Sequence, residues 1–242
     1  MRVIADYHTH TFYSDGKGSM EENIAAAAAA GLKTIGISDH GYAHLGFGMK
    51  YDRIKYMREE IDELREKYRN EKIEILLGVE CNILDDEGSI DMDDKIRPYF
   101  DYIMAGYHFG SKPTHYLRGF QNHFRNYVAP FKPKEIDYNT RALVRAMEKN
   151  DLFVLTHPGD KGMIDILQVA EAAARTNTLL EINTRHHYLS TEQLRALKGM
   201  DIRYIIGSDA HYPHHVGVFD KAIKRVLESD MDISKIVNLE RG

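Results

Sequence analysis

Residues 33–40 read KTIGISDH: a short, β-branched apolar run that stops at an aspartate and a histidine. The same pattern recurs in RVIADYH (2–8), ILLGVE (75–80), YIMAGYH (102–108), LFVLTH (152–157) and YIIGSDAH (204–211). Six of the 13 histidines fall at such ends: His8, His10, His40, His108, His157 and His211. The carboxylates Glu80, Asp209 and Asp15 fall with them. Buried parallel strands read as continuous apolar runs rather than as alternation, so these runs are expected to be strands. A seventh is Thr178–Asn183.

Helical stretches lie between the strands. Ser19-Met20-Glu21-Glu22 has capping-box spacing before an alanine-rich run that stops at Gly31. Ile54, Met57, Ile61, Leu64 and Tyr68 recur at helical spacing among charges. Met163–Arg175, Thr191–Leu197 (after Ser190, with Gln193 at capping-box spacing) and Val216–Glu228 complete the series. Seven strand–helix units with no linker imply a parallel sheet with helices outside. An α/β barrel takes about 250 residues, and this chain has 242. The expected fold is therefore a seven-stranded, TIM-like (β/α)7 barrel, with an open doubly wound sheet as the alternative. The barrel is favoured because candidate ligands follow nearly every strand, whereas an open sheet gathers its site at one switch point. Residues 1–242 are expected to form a single domain. Residues 109–137, rich in proline, glycine and aromatics, break the rhythm and read as an excursion over the site face, with room for a short helix.

Composition narrows the function. The net charge of −5 and pI near 6.2 give no electrostatic footprint for nucleic acid. The single cysteine, Cys81, forbids an internal disulfide. The N-terminus lacks the charged and apolar regions of a signal peptide. The longest apolar run, Ile24–Ala30, is far short of the roughly 20 residues that span a bilayer. A cytoplasmic protein with no membrane partner is expected.

Strand ends of a barrel converge at one face, and histidine with carboxylate is the ligand set of zinc, manganese and iron. A multinuclear metalloenzyme is the expectation. In His8-Thr9-His10 both imidazoles point the same way on an extended segment. Asp15 lies in a Ser-Asp-Gly turn and by itself is equally an ordinary turn aspartate. Asp39-His40 alone reads as a hydrogen-bonded pair. Glu80 at a strand end buries a charge that needs a partner or a metal, and its two oxygens can bridge two ions. Glu181 either orients a ligand histidine or forms a salt bridge inside the barrel. The loop histidines read mainly as solvated, with His186 or His187 as candidates to touch substrate.

As an ordered set, HTHTFYSDG, GISDHG, GVE, GYH, THPG and GSDAH resemble the motifs of the polymerase-and-histidinol-phosphatase (PHP) family, from Asp6 to about Gly217. The resemblance is closest to compact bacterial PHP phosphatases, then to histidinol-phosphate phosphatases. It implies a distorted seven-stranded barrel with a trinuclear site of divalent transition-metal ions (zinc, manganese or iron). One ion would be held by His8, His10, Glu80 and Asp209. A second would share Glu80 and take His108 and His157; a third would take Asp15, His40 and His211. Some relatives have histidine where this chain has Asp15, and the extra carboxylate shifts preference toward manganese or iron.

Such a cluster keeps a positive surplus and favours a phosphate dianion. Water bridging two ions has its pKa lowered toward about 7, and the hydroxide can attack phosphorus in line. The expected activity is phosphomonoester hydrolysis on a small molecule, with Glu80, Asp209 and His40 as the catalytic centre. Arg185 is the first choice to grip the phosphate, followed by Arg118 and Lys161. Tyr42, Phe47, Tyr107, Phe109 and Tyr116 are candidates for a leaving-group pocket. Alternatives are a histidinol phosphatase specifically, a PHP nuclease acting on nucleic-acid ends, a metal-stabilised binding domain, and an amidohydrolase. The last commonly has a lysine after the fourth strand, where this chain has Tyr107-His108. The oligomeric state is not legible.

Overall fold

The computed structural model describes residues 1–240, apart from the side chain of Tyr116, so the pocket role expected for that tyrosine lies outside the described residues. Seven parallel strands follow one another around the sheet in chain order: β1 (Ala5–Asp6), β2 (Thr34–Ile37), β3 (Glu74–Asn82), β4 (Tyr102–Gly106), β5 (Val154–Leu155), β6 (Leu179–Asn183) and β7 (Tyr204–Gly207). The helices are α1 (Met20–Ala29), α2 (Ile54–Lys67), α3 (Tyr116–Tyr127), α4 (Ile136–Lys149), α5 (Ile166–Thr176), α6 (Thr191–Ala196) and α7 (Asp220–Ser229). The two capping boxes form as the sequence predicts, at Ser19/Glu22 and Ser190/Gln193.

The regular alternation has two exceptions. Between β3 and β4 the chain crosses without an α-helix, with only a 3-10 turn at Arg97–Tyr99. Between β4 and β5 there are two helices. The segment 109–137 holds the 12-residue α3 and a 3-10 stretch, Ala129–Glu135, and α4 follows it directly. Gly119 within α3 and prolines 113, 130 and 133 around it mask its helical period.

Strand register sorts the side chains into two layers. Glu80, Met104, Val154 and Leu179 are successive register partners, as are Glu181 and Ile205. Paired residues on parallel strands point to the same face, and alternate residues along a strand to opposite faces. The inward face therefore carries an apolar floor of Tyr102, Met104, Val154, Leu179 and Ile205, with Glu80 and Glu181 above it. The outward face carries Cys81, Ala105, Leu155, Leu180, Ile182 and Ile206, packed in the larger cluster with the helices. Tyr102 crosses the floor, and its hydroxyl donates to the carbonyl of Tyr7 at 2.6 Å. Gly36 and Gly78 make room for that ring: a Cβ at either would collide with it.

Seven strands leave a seam between β7 and β1. At the site end the strand extensions close it directly, with His10 N donating to Ala210 O at 2.8 Å and Ala210 N to His8 O at 3.2 Å. At the other end the C-terminal segment fills it. Ile236 pairs parallel with Tyr204, and Leu239 antiparallel with Val3. The buried Asn238 accepts from Ile206 N at 3.0 Å and donates to the carbonyls of Ala5 and Ile206, both at 2.8 Å. Among the described residues, no helix is long and apolar enough to cross a membrane.

Candidate metal centre

The nine expected ligands lie in one cluster at the C-terminal ends of the strands, all buried except the half-buried Asp15. Glu80 is its hub. Its Oε2 lies 3.0 Å from His40 Nδ1, 3.3 Å from His8 Nε2 and 3.7 Å from His10 Nε2. Its Oε1 lies 2.9 Å from His157 Nε2 and 3.2 Å from His108 Nε2, and accepts from Thr156 Oγ1 at 2.7 Å. Asp209 Oδ1 lies 3.3 Å from His211 Nδ1 and 3.5 Å from His10 Nε2. Asp15 Oδ1 lies 3.2 Å from His211 Nε2 and 3.7 Å from His40 Nε2.

Local structure aims these groups. Asp39 is a positioning residue. It accepts from Thr11 N at 2.7 Å, Thr11 Oγ1 at 2.6 Å and Ser14 Oγ at 2.5 Å, folding the loop after β1 back so that Asp15 meets His211. His157 and Asp209 adopt left-handed backbone conformations, with φ of 26° and 53°. Such residues cost about 1–3 kcal/mol each and cluster at functional sites. Of the two readings of Glu181, the histidine-orienting one describes the geometry: Oε1 lies 2.7 Å from His8 Nδ1 and Oε2 accepts from His157 N at 2.9 Å. The sequence reading missed Asn82, whose Oδ1 lies 3.0 Å from His108 Nδ1. It sits two residues beyond Glu80 and is held by Asp91 through bonds of 2.6 and 2.7 Å.

The electrostatics fit cations. Burial pushes Glu80 toward neutrality, but His8, His108 and His40 outweigh it and hold its carboxyl well below the ordinary range. Asp209 behaves likewise, chiefly through His8 and His10. Burial lowers His108 to about 4 against the pull of Glu80. Burial, with His40 and His211 as neighbours, drives His10 well below its ordinary value. Burial opposes protonation of His211 too, but the nearby carboxylates of Asp15 and Asp209 carry it up to about 9. His8 Nε2, both ring nitrogens of His10, His40 Nδ1, His108 Nε2, Asp15 Oδ1 and Glu80 Oε2 are buried without a hydrogen-bond partner. Buried polar atoms are ordinarily satisfied. Ring nitrogens and carboxylate oxygens that converge without hydrogen-bond partners suit divalent cations, whose binding requires deprotonated ligands.

Not every expected residue joins the site. A cavity of about 280 Å³ over the cluster is bordered by Arg185, Lys161, Phe47 and Phe109. Arg185 Nη1 lies 3.5 Å from Asp209 Oδ1 and 2.8 Å from His211 Nε2. Lys161 Nζ lies 2.5 Å from Asp160. Arg118 is elsewhere: it donates to the buried Glu135 at 2.8 Å and stacks 4.1 Å over the Tyr138 ring, because α3 carries it outward. Tyr107 donates to Asn122, and Tyr42 packs against Tyr51. His186, read from its loop position as mainly solvated, lies on the cavity between Asp160 and Asp209. A second cavity of about 370 Å³, walled by Tyr212, His215 and Val218, adjoins the first and shares Arg185, Asp209 and His211 with it.

A parallel barrel with a histidine–carboxylate cluster at its strand ends defines the class, and the comparison with known proteins names it. Residues 6–192 match the PHP domain, and the chain belongs to the PHP family. Probable phosphatase TTE1963 of Caldanaerobacter subterraneus subsp. tengcongensis is 32% identical over 98% of this chain and 88% of its own length. A probable phosphatase of Shewanella loihica is 29% identical over 98% of this chain and 90% of its own. In fold, the chain is similar to the histidinol phosphate phosphatase of Lactococcus lactis, solved with zinc, L-histidinol and phosphate. That match has a TM-score of 0.61 at 16% identity, covering 96% of this chain and 95% of that one.

Proposed function

We propose that this chain is a metal-dependent phosphatase that hydrolyses small-molecule phosphomonoesters at a trinuclear site. The observation that carries the reading is the division of Glu80. One oxygen faces His8, His10 and His40, and the other faces His108 and His157. A carboxylate so placed can serve two cations at once. The ligand sets are His8, His10, Glu80 and Asp209; Glu80, His108 and His157; and Asp15, His40 and His211. The donor set of imidazole and carboxylate suits zinc, manganese or iron. When bound, such ions supply positive charge for a phosphate dianion and a lowered pKa for water.

The chain's own groups do the rest. Glu80, Asp209 and His40 hold the centre together. Arg185 and Lys161 border the cavity where non-bridging phosphate oxygens would sit, Arg185 with the planar fork that matches phosphate. The adjoining cavity of about 370 Å³ takes the alcohol; pockets for small ligands run about 300–1,000 Å³. Cys81 is no nucleophile, since it faces outward among the helices and burial pushes its thiol well up. We read residues 1–242 as one domain in which 109–137 covers the site face, supported by Phe109 on the cavity wall and by its ring contact with His123 of α3, at 5.9 Å.

The test is hydrolysis of p-nitrophenyl phosphate by purified protein, before and after exhaustive chelation and after return of zinc, manganese or iron. Chelation is expected to abolish turnover and metal to restore it. His40→Ala and Asp209→Ala are each expected to remove most activity. Undiminished turnover in the chelated protein overturns the reading. Turnover of a labelled oligonucleotide in place of the small ester overturns the substrate class.

A further inference from the structure

We propose that His186 is a tenth metal ligand, oriented by Asp160 and joining His157 and Asp209 around the cation that His157 carries. The proposal rests on the reading of the site as a metal centre. His186 lies beyond β6, on a segment pinned to the strand end. Its backbone N–H donates to Asn183 Oδ1 at 2.7 Å, and Asn183 Nδ2 in turn donates to Glu181 at 3.0 Å and Asp209 at 3.2 Å. The ring lies 5.0 Å from that of His157.

Its two nitrogens face different partners. Nδ1 lies 3.1 Å from Asp160 Oδ1, and Nε2 lies 3.3 Å from Asp209 Oδ2. One nitrogen on a carboxylate and the other toward the ligand cluster is how a ligating histidine is fixed in tautomer and orientation. The arrangement repeats that of His8, with Nδ1 on Glu181 at 2.7 Å and Nε2 facing Glu80 at 3.3 Å. Asp160 is itself held over the site. Gly159, at φ +100°, turns the chain after His157, and Asp160 N donates to His157 O at 3.1 Å.

Asp209 has room for the added ligand. Its Oδ1 faces His8, His10 and His211, while its Oδ2 faces only His186 and the Asn183 amide among the described residues. Ligand atoms of His157, His186 and Asp209 lie within 4.8 Å of one another. Modest side-chain rotations contract that spread onto metal–ligand bonds of about 2.0–2.2 Å. With His186 and Asp209 added to Glu80, His108 and His157, the cation would have five side chains, which favours manganese or iron over the four-coordinate preference of zinc. The competing arrangement is a histidine bridging two aspartates with no part in metal binding.

Cobalt-loaded protein separates the two. Wild type, His186→Ala and Asp160→Asn are loaded with Co²⁺, and metal content after dialysis against graded chelator is read with the visible d–d spectrum. His186→Ala is expected to alter the spectrum and to release one ion at roughly tenfold lower chelator or less; Asp160→Asn is expected to move the same way by a smaller factor. Thermal melts of the metal-free proteins show that both variants fold, and Asp160→Asn carries the test if His186→Ala does not. A variant that keeps the wild-type spectrum and chelator profile, while wild type binds cobalt, overturns the proposal. Wild type that binds no cobalt overturns it together with the proposed function.

Discussion

Replacing Glu181 with glutamine removes a charge and one acceptor from the wall behind the site while keeping the shape. In the folded chain Glu181 is fully buried. Its Oε1 lies 2.7 Å from His8 Nδ1, and its Oε2 accepts from His157 N at 2.9 Å and Asn183 Nδ2 at 3.0 Å. The new amide can take either of two orientations. With its nitrogen toward His8 it must donate to Nδ1, which moves the ring proton to Nε2. That nitrogen, 3.3 Å from Glu80 Oε2, can then no longer bind a cation. With its nitrogen turned the other way, the buried N–H of His157 loses its acceptor, whereas Asn183 keeps Asp209 Oδ2 at 3.2 Å. The first orientation costs about 10–100-fold in metal affinity, or roughly 1.4–2.7 kcal/mol. The second costs about 1–3 kcal/mol of stability for one unpaired buried donor. Zinc affinity by chelator competition and urea unfolding of the metal-free protein measure the two. If Glu181→Gln leaves affinity within about twofold and stability within about 0.5 kcal/mol of wild type, the orienting role assigned to Glu181 is wrong.

Two further outcomes are expected away from the site. Asn238→Ala strips three hydrogen bonds from the buried seam between β1 and β7; at about 1 kcal/mol each it lowers unfolding free energy by roughly 2–4 kcal/mol, and an unchanged urea midpoint would contradict the seam. Glu135 is buried between Arg118 at 2.8 Å and Arg125 at 3.0 Å. Burial opposes its charge, but hydrogen bonds from Asn122, Arg118 and Arg125 prevail and its carboxyl lies below the ordinary value. The folded carboxylate is the depressed one, so its stabilisation is full above the unfolded pKa near 4.3 and is lost as pH falls through the lower folded value. Glu135→Gln is therefore less stable than wild type at pH 7, by about 1–3 kcal/mol, and the gap narrows below about pH 4; a gap independent of pH refutes the assignment.

Much of this architecture is legible in local pattern. Apolar runs such as Lys33–Ser38 mark buried parallel strands, and β2 forms there. Period-two alternation separates Glu80, inward, from Cys81, outward, before any contact is known. The same locality is why α4 escapes notice just after Pro130 and Pro133, and why seven strand–helix units are read where β3 and β4 are joined by a 3-10 turn alone. Arg118 and Arg185 look alike as loop cations. One is drawn to Glu135 and the other to His211, and nothing adjacent in the chain distinguishes them.

The chain by itself dictates which residue types stand at each strand end, because backbone geometry and burial act over a few neighbouring residues. Tertiary structure alone decides which imidazole faces which oxygen of Glu80, that Glu181 stands behind His8 across 173 positions of sequence, that Asn238 fills the seam, and that His186 turns inward. Those pairings depend on strand order, register and the closing of the sheet into a ring. Such long-range geometry is set by the packing of the whole chain, so no short stretch encodes it.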